Sequence, residues 1–442
     1  MDATEDGRKA LGDPRRALSE RPMRPAQWLM IAIPVAINMI DGYDLLALAQ
    51  AAPVLAKEWA LPPQRLGELF SMGLVGMALG ALLVSPLADT RGRRPAILAC
   101  LVLMSLGMAG AAVSDGYAGM ALARLVTGIG VGGMTSTAGA IAMEYASAKW
   151  RTFSPSLVTS AYPVGTILGG VIGLALLHSL GWRGIFWGGT MLSLVLLPVA
   201  WLWLPESLDF LLTRQPKGAL GATNRVLARL ELPAIDALPP LAEGTKGGVR
   251  ALIGEITGPG NRRELMMLSL AQALNMASFY FIVSWAPKWV TELGLSAQAG
   301  IAYSMWVSVG GIPGALAGGL IAGRIGVKAL TFGTLAILAA AIVTFGLLPA
   351  AMPLLVADAL VMGAMLFSSA AGCWLSIALA FPAHQRATGL GLASLAGRIG
   401  SITGPLAAGY LLSGGLTKPA ICVILALPAL AAGAIFTRAR QV

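Results

Sequence analysis

The sequence contains few charged residues for its length. Asp, Glu, Lys and Arg make up 12% of the 442 residues, whereas soluble domains average about 25%. Because 56% of the residues are hydrophobic, most side chains must face lipid or other helices. Segments of about ten residues with alternating polarity, which a transmembrane β-barrel would require, are absent. The composition therefore predicts an all-α membrane protein.

Residues that build metal sites, disulfides and nucleophilic centres are also scarce. The chain has three cysteines and two histidines. Cys100, Cys373 and Cys422 lie inside apolar stretches without CxxC or His-rich spacing, which is typical of small packing residues. No pattern of a nucleophile with its base occurs. We expect no enzymatic activity, no cofactor and no bound metal.

Long apolar stretches fill most of the chain. Twelve of them reach the roughly 18 residues that a membrane-spanning helix needs. The predicted spans are 27–55, 65–88, 95–114, 118–145, 153–178, 184–204, 264–291, 298–322, 329–349, 353–380, 387–413 and 419–437.

Polar segments divide these spans into two groups of six. Residues 1–26 are basic and have no apolar core, so we interpret them as a cytoplasmic tail and not as a signal peptide. The polar stretch 206–263 is predicted to be a cytoplasmic linker. The predicted organisation is thus a tail, a first six-helix half (27–205), the linker, a second half (264–437) and a cytoplasmic C-terminus (438–442).

The distribution of basic residues predicts the orientation in the membrane. Of the 31 Lys and Arg residues, 24 lie in the tail or in loops on the same side, five lie in the opposite loops, and Arg124 and Arg398 lie inside spans. Both termini are therefore expected in the cytoplasm, which requires an even number of spans. This topology explains the net charge of +10, so we expect a lipid bilayer and no nucleic acid as partner.

The two groups of spans repeat each other weakly, as the halves of many secondary carriers do. Asp41, Asp44 and Arg124 have no charged counterpart of the same sign in the second half, where Met276, Phe279 and Asp358 stand at the matching positions. The matched pairs, 234 or 235 residues apart, are Gly92 and Gly326, Arg151 and Arg386, Gly165 and Gly400, and Gly169 and Gly404.

The loop after the second span, Asp89-Thr90-Arg91-Gly92-Arg93-Arg94, resembles the signature loop of the major facilitator superfamily. The resemblance implies twelve helices in two pseudo-symmetric halves, with loop charges that hold the halves together on the cytoplasmic side. Ser85 stands where the family usually has Gly. The alternative is a positively charged anchor alone. The predicted gating residues, which include two charges at the inner ends of spans four and eleven, are Asp89, Arg91, Arg93, Arg94, Glu144 and Arg386.

Three polar residues, Asn38, Asp41 and Asp44, follow one another at a spacing of three in the first span. A carboxylate at membrane depth is costly and usually marks a proton or substrate path. Asp41 lies about 21 Å along its span and Arg124 about 20 Å from the same membrane face. The two depths agree, so we predict a pairing of Arg124 with Asp41, which Asp44 can share. The pair either couples protons to transport or is a static ion pair.

Arg398 lies roughly 18 Å inside the eleventh span with no acid nearby in that span. It is predicted to bind a substrate carboxylate in bidentate fashion, or else a structural partner such as Asp358. Aromatic residues, Tyr280 among them, are candidates for stacking on a ring or for ordinary packing. The predicted substrate-binding residues are Asn38, Arg124, Asn275, Phe279, Tyr303, Trp306, Trp374 and Arg398.

The run Asp41-Gly42-Tyr43-Asp44 resembles the D-G-[FY]-D element of the aromatic acid:proton symporter family. The resemblance covers nearly the whole chain and implies that the charged positions it shares are functionally sensitive. One position departs from the family: Gly323 replaces a frequent acid, so the gate there is expected to pair differently. The other matching positions are Asp89, Arg124, Glu144, Pro205-Glu206-Ser207, Trp285 with Pro287, Arg386 and Arg398.

Taken together, the resemblance predicts a monomeric carrier of the bacterial inner membrane. It would import an aromatic carboxylate with a proton, with Asp41 and Asp44 as proton sites, by alternating access. One alternative is a proton symporter for a non-aromatic organic acid such as muconate, shikimate or a dicarboxylate. A drug:proton exporter is disfavoured because span five lacks a Gly-Pro pair. A sensor without transport is disfavoured because 206–263 is the only sizeable polar segment.

Overall fold

A computed structural model of the protein describes residues 14–151, 153–240, 254, 256–258, 261–382 and 385–439. Every element in the ranges below is an α-helix. Eight helices precede residue 240: α1 (Pro14–Glu20), α2 (Pro25–Glu58), α3 (Pro63–Arg91), α4 (Arg93–Ala112), α5 (Tyr117–Tyr145), α6 (Phe153–Trp203), α7 (Leu208–Arg214) and α8 (Ala219–Arg229). Six follow residue 260: α9 (Arg262–Glu292), α10 (Ala297–Ile325), α11 (Val327–Leu347), α12 (Met352–Ala380), α13 (Arg386–Ser413) and α14 (Lys418–Arg438).

The helices account for twelve membrane crossings, as the apolar pattern predicts. Among the described residues, nine helices are long and apolar enough to cross a membrane. One of them, α6, contains two crossings, because its backbone breaks at Gly181 with φ 60° and ψ −155°. The helices α10 and α13, with 29 and 28 residues, complete the set.

The polar segments contain short helices that were not predicted. Helix α1 lies in the tail, and α7 and α8 lie in the first part of the linker. The tail contacts the linker through ion pairs of Arg15 with Asp209 (2.8 Å) and of Arg24 with Glu231. Within the predicted segments 1–26, 206–263 and 438–442, residues 1–13, 241–253, 255, 259–260 and 440–442 lie outside the described residues.

The two six-helix halves pack in the same way. In the first half α2 packs on α6, and α3 packs on α5; in the second, α9 packs on α13, and α10 packs on α12. The glycines that repeat in sequence lie at matching contacts, since a Cβ on Gly165 would overlap the backbone of Met39, and one on Gly400 would overlap that of Ala273. Small residues at these positions let the helix backbones approach closely. The internal repeat of the sequence is therefore a repeat of helix packing.

Two further repeated glycines form matching tight turns. Gly92 joins α3 to α4 with φ 112°, and Gly326 joins α10 to α11 with φ 84°. Both have ψ 150°, a conformation that is essentially restricted to glycine. The reversal between consecutive spans requires this residue type in each half.

Candidate functional site

Among the described residues, the most buried ion pair joins α2 to α5. The Nη1 atom of Arg124 lies 2.7 Å from Oδ1 of Asp44, and its Nη2 lies 3.4 Å from the Asp44 carbonyl oxygen. Both side chains are buried. Gly73 of α3 leaves room for the guanidinium, because a Cβ there would lie 3.1 Å from Nη2. The pairing of Arg124 with the first span therefore falls on Asp44.

Asp41 lies one helical turn away in a different environment. It is 4% exposed, and its Oδ1 atom accepts no hydrogen bond from the part of the chain that the structure describes. Asp41 interacts electrostatically with Asp44 and with Arg398. Asp41, Asp44 and Arg124 border a void of about 10 Å³ between the halves, close to the space that one water molecule occupies. Asp41 thus lacks the close ion pair that Asp44 has.

Arg398 of α13 reaches this region from the second half. Its guanidinium lies beside the hydroxyl of Tyr280 on α9 and interacts electrostatically with Asp41. Tyr162 of α6 lies close to all three of these side chains. Two carboxylates from the first half and two guanidinium groups, one from each half, therefore form a cluster with balanced formal charge.

Arg398 also lines a large cavity between the halves. The cavity has a volume of about 580 Å³, within the usual range for small-molecule sites. Residues of α3 and α5, which include Ala78, Ala81, Leu82, Gly132 and Thr135, form one wall, and residues of the second half form the other. The residues of the second wall include Gln272, Met276 and Tyr280 of α9, Trp374 of α12, and Ser394, Arg398 and Ser401 of α13.

The halves are in contact beyond this cavity, at the end of the molecule where α2 connects to α3. The Ser71 hydroxyl donates to the Ile402 carbonyl oxygen at 2.8 Å, and the Gln64 N–H donates to Ser413 Oγ at 3.0 Å. The rings of Phe70 and Trp285 meet edge to face with centroids 5.6 Å apart. These contacts close one end, and the cavity lies towards the other end, where α3 turns into α4.

The aromatic candidates lie at different depths. Trp374 lines the large cavity. Phe279 and Tyr303 line a smaller void nearer the closed end, where Phe279 packs on Phe367. Trp306 is 39% exposed and borders neither space. The structure therefore brings Trp374, and not the other three, to the cavity with Arg398.

The remaining polar candidates have different surroundings. The Asn38 side chain donates to the Val158 carbonyl oxygen at 2.6 Å, which fixes α2 against α6. Asn275 is fully buried and lines neither the cavity nor the two voids. Asp358 accepts a hydrogen bond from the Tyr303 hydroxyl at 2.8 Å. Asp358 is therefore placed against Tyr303, and Arg398 is placed beside Tyr280.

The loop charges form a network inside the first half. Arg93 pairs with Glu144. The Glu206 carboxylate accepts hydrogen bonds from the backbone N–H groups of Arg93 (2.8 Å) and Arg94 (3.1 Å) at the start of α4. Asp89 and Arg91 are exposed. Within the described ranges, neither they nor Arg386 form an ion pair with another residue of the predicted gate.

Several residues at the site were not among the sequence-based candidates. These are Gln272, Ser394 and Ser401, which line the cavity. Glu206, a position shared with the family in the sequence, caps α4, a role that the sequence did not indicate. A signal for the α9 residues is present in the sequence, because Gln272, Met276 and Tyr280 recur every fourth residue and share a helix face. The described residues contain no group of three or more His, Cys, Asp or Glu side chains that could hold a metal.

Comparison with known proteins agrees with this architecture. The family model of the Major Facilitator Superfamily matches residues 35–379 and 268–441. The chain belongs to the Major Facilitator Superfamily. A bacterial homolog of the lysosomal transporter Spinster, in an inward-facing and unoccupied conformation, has a similar fold, with a TM-score of 0.72 at 17% identity over 94% of this chain and 97% of that one.

A second solved structure, the xylose transporter XylE from E. coli in a partially occluded inward open conformation, aligns with a TM-score of 0.66. The two sequences are 18% identical, and the alignment covers 91% of this chain and 97% of the XylE chain. These two likenesses concern the fold alone.

Curated relatives are transporters of aromatic acids. The benzoate transport protein of Acinetobacter baylyi is 28% identical over 407 residues, which cover 90% of this chain and 86% of that protein. The gallate transporter of Pseudomonas putida is 29% identical over 417 residues, which cover 94% of this chain and 92% of that protein. These relatives confirm the resemblance to aromatic acid transporters that the first span indicates.

Proposed function

We propose that this superfamily member is a proton-coupled symporter that imports an aromatic carboxylate across the bacterial inner membrane. The observation that carries the proposal is the position of Arg398, which lines the large cavity and also interacts with Asp41. The Arg398 guanidinium therefore borders a cavity large enough for a substrate and also interacts with Asp41, a buried carboxylate without a close ion pair among the described residues. The aromatic acid relatives support the substrate class.

The shared cation gives a physical reason for coupling. When a substrate carboxylate binds Arg398, it competes with Asp41 for the same positive charge. A carboxylate that loses its counter-charge in a protein interior binds a proton more tightly. One anion and one proton then enter together, and the net charge of the site does not change. Because the coupling is reciprocal, a proton on Asp41 also makes Arg398 more available to the anion.

The remaining charges have supporting roles in this proposal. Asp44 keeps its ion pair with Arg124 and holds negative charge beside Asp41, which favours proton uptake there. Trp374 and Tyr280 are placed to contact the ring. The closed end faces the outside, the cavity opens to the cytoplasm, and the loop network around Glu206 moves with the first half as the halves rock about the site.

The proposal is tested by uptake of labelled 4-hydroxybenzoate into proteoliposomes that contain the full chain. We expect accumulation driven by an inward proton gradient and abolished by a protonophore. In Asp41→Asn the gradient should no longer drive accumulation, because the exchangeable carboxylate is gone, whereas exchange of labelled for unlabelled substrate should continue.

Two results would contradict the proposal. If muconate, shikimate and dicarboxylates accumulate but no aromatic acid does, the substrate class is wrong. If Asp41→Asn retains gradient-driven accumulation at the wild-type level, Asp41 does not couple the proton. Asp115→Asn is a suitable control, since it makes the same acid-to-amide change at an exposed carboxylate that lines neither the cavity nor the two voids.

A further inference from the structure

The polar wall of the large cavity contains a buried amide that the proposed function does not use. Gln272 of α9 lines the cavity, yet only 2% of its surface is exposed. Its Oε1 atom is buried and accepts no hydrogen bond from the described residues. A buried polar atom without a partner destabilises the folded protein by about 1–3 kcal/mol. Such an atom beside a cavity indicates a hydrogen-bond partner that arrives with a ligand.

The position of Gln272 relative to Arg398 defines two polar ends of the cavity. Gln272 lies next to Gly397, since a Cβ on that glycine would be 3.1 Å from Gln272 Cγ. The Arg398 guanidinium extends away from this point to Tyr280, which lies eight residues or about 12 Å along α9 from Gln272. Gln272 and Arg398 can therefore bind substituents at opposite positions of one aromatic ring.

The space between the two ends is apolar. Met276 lies midway between Gln272 and Tyr280 on the same face of α9. Ala78, Ala81 and Leu82 of α3 and Gly132 and Thr135 of α5 line the same cavity. Mostly small side chains from the first half and a flexible thioether from the second leave a largely apolar space for a flat ring.

We propose that Gln272 determines specificity by binding a hydroxyl group on the aromatic ring at the position opposite the carboxylate. The inference rests on the proposed function, with the substrate carboxylate on Arg398. The phenol O–H donates to the buried Oε1 of Gln272, and the substrate class is therefore the 4-hydroxylated aromatic carboxylates. An analogue without the hydroxyl leaves the amide unpaired, and sites built to bind a hydroxyl discriminate against such analogues.

The first test needs no variant. Uptake of labelled 4-hydroxybenzoate by wild-type proteoliposomes is inhibited with unlabelled 4-hydroxybenzoate, benzoate and 4-methylbenzoate. The methyl analogue matches the hydroxyl compound in size and lacks the hydrogen bond. We expect 4-hydroxybenzoate to inhibit at roughly tenfold lower concentration than either analogue, as the loss of one buried hydrogen bond implies. Equal inhibition by all three would overturn the inference and leave the proposed function standing.

The second test assigns the preference to Gln272. In Gln272→Met we expect the preference for 4-hydroxybenzoate over 4-methylbenzoate to fall roughly tenfold, with benzoate inhibition unchanged. Gln50→Met is the matched control, because Gln50 also carries a buried amide with an unpaired atom, and it lines none of these spaces. It should keep the wild-type preference.

The outcomes of the two tests separate the inference from the proposed function. If the preference for 4-hydroxybenzoate survives in Gln272→Met, or falls equally in Gln50→Met, a group other than Gln272 binds the ring hydroxyl. If wild-type protein neither accumulates nor binds any aromatic acid, the proposed function itself is wrong.

Discussion

At the residue scale, the two carboxylates of the first span differ in their partners. Asp44 has a guanidinium at 2.7 Å, and Asp41 has an unpaired buried oxygen and shares a more distant arginine with the cavity. A buried ion pair is a poor source of net stability, yet removing one partner strongly destabilises a protein because the other charge remains. The pair of Asp44 and Arg124 therefore favours a fixed structural role, and Asp41 is the better candidate for proton exchange.

This difference predicts the stability of charge variants. Arg124→Leu should lower the free energy of unfolding by about 3–5 kcal/mol at neutral pH, because Asp44 is left buried without a counter-charge. A protonated Asp44 is neutral, so the loss should shrink as the pH falls and grow as the pH rises. Thermal unfolding of the purified protein in detergent across a pH series measures this effect.

The double variant Asp44→Leu with Arg124→Leu provides the control for that measurement. It contains neither charge, so it should recover most of the lost stability and show no additional pH dependence. A single variant as stable as the double variant at every pH would show that the ion pair has no structural role.

At the scale of elements, the start of α4 depends on a residue more than a hundred positions away. Glu206 accepts the first two N–H groups of α4 and also the N–H of Ser207 at 2.8 Å. A carboxylate at a helix N-terminus satisfies orphan donors and interacts favourably with the helix dipole. Gly92 makes room for it, because a Cβ at Gly92 would overlap the Glu206 carboxylate.

The two matching turns allow a paired substitution. Gly92→Ala and Gly326→Ala should each destabilise the protein by about 1–3 kcal/mol through backbone strain. Gly92→Ala should be the more severe, because it also displaces Glu206, whereas nothing lies within 4 Å of a Cβ at Gly326. Melting temperatures of the two variants give the comparison.

A third protein, Gly92→Ala with Glu206→Ala, isolates the steric clash. The double variant should lose less stability than the sum of the losses in Gly92→Ala and in Glu206→Ala, because the steric clash and the helix cap involve the same carboxylate. Equal melting temperatures for Gly92→Ala and Gly326→Ala would mean that Glu206 adapts without loss.

At the scale of the whole molecule, the halves touch at one end and enclose the cavity towards the other. Alternating access requires the contacts between α3 and α13 to separate during each cycle. In the structure these contacts include the hydrogen bond from Gln64 to Ser413 and the close approach of Gly67 to Gly409. A covalent link at this end should hold the carrier in the conformation described here.

This requirement predicts the effect of a disulfide. In Gln64→Cys with Ser413→Cys, oxidation should abolish uptake, and a reducing agent should restore it. The two single cysteine variants, treated in the same way, should transport normally, because the native cysteines Cys100, Cys373 and Cys422 are buried. Undiminished uptake by a fully cross-linked sample would exclude a cycle that opens this end.

The fold was predictable from the sequence to within a few residues at most helix ends. The twelve apolar stretches, the broken helix near Gly181 included, correspond to the observed spans because membrane-spanning helices must be long and apolar whatever their neighbours are. The short helices α1, α7 and α8 were missed. Helices α1 and α7 have seven residues each, too few for a clear periodic signal, and contacts between the tail and the linker accompany them. Helix α8 is amphipathic over its 11 residues, so its signal was present in the sequence.

The candidate site was predictable only in part. Depth along a helix follows from residue number, so Arg124 was expected at the depth of the carboxylates of the first span. The pairing was predicted with Asp41, whereas the structure pairs Arg124 with Asp44. The direction in which a side chain points was not available: Trp306 and Trp374 are equally plausible in sequence, yet only Trp374 faces the cavity. Gln272 gave no charge anomaly or motif that would single it out as a site residue, and the run Pro205-Glu206-Ser207 did not indicate that Glu206 caps α4.

The sequence by itself determined that the chain is a twelve-span membrane protein with a repeated half, because hydrophobic length, glycine spacing and charge distribution are local or periodic properties. It also placed two carboxylates and two arginines at membrane depth. Only the tertiary structure decided which of them pair, that Arg398 belongs both to Asp41 and to the cavity, and that Gln272 is left with an unpaired oxygen. Those relations join helices far apart in the chain, and they depend on helix rotation and packing, which no local pattern specifies.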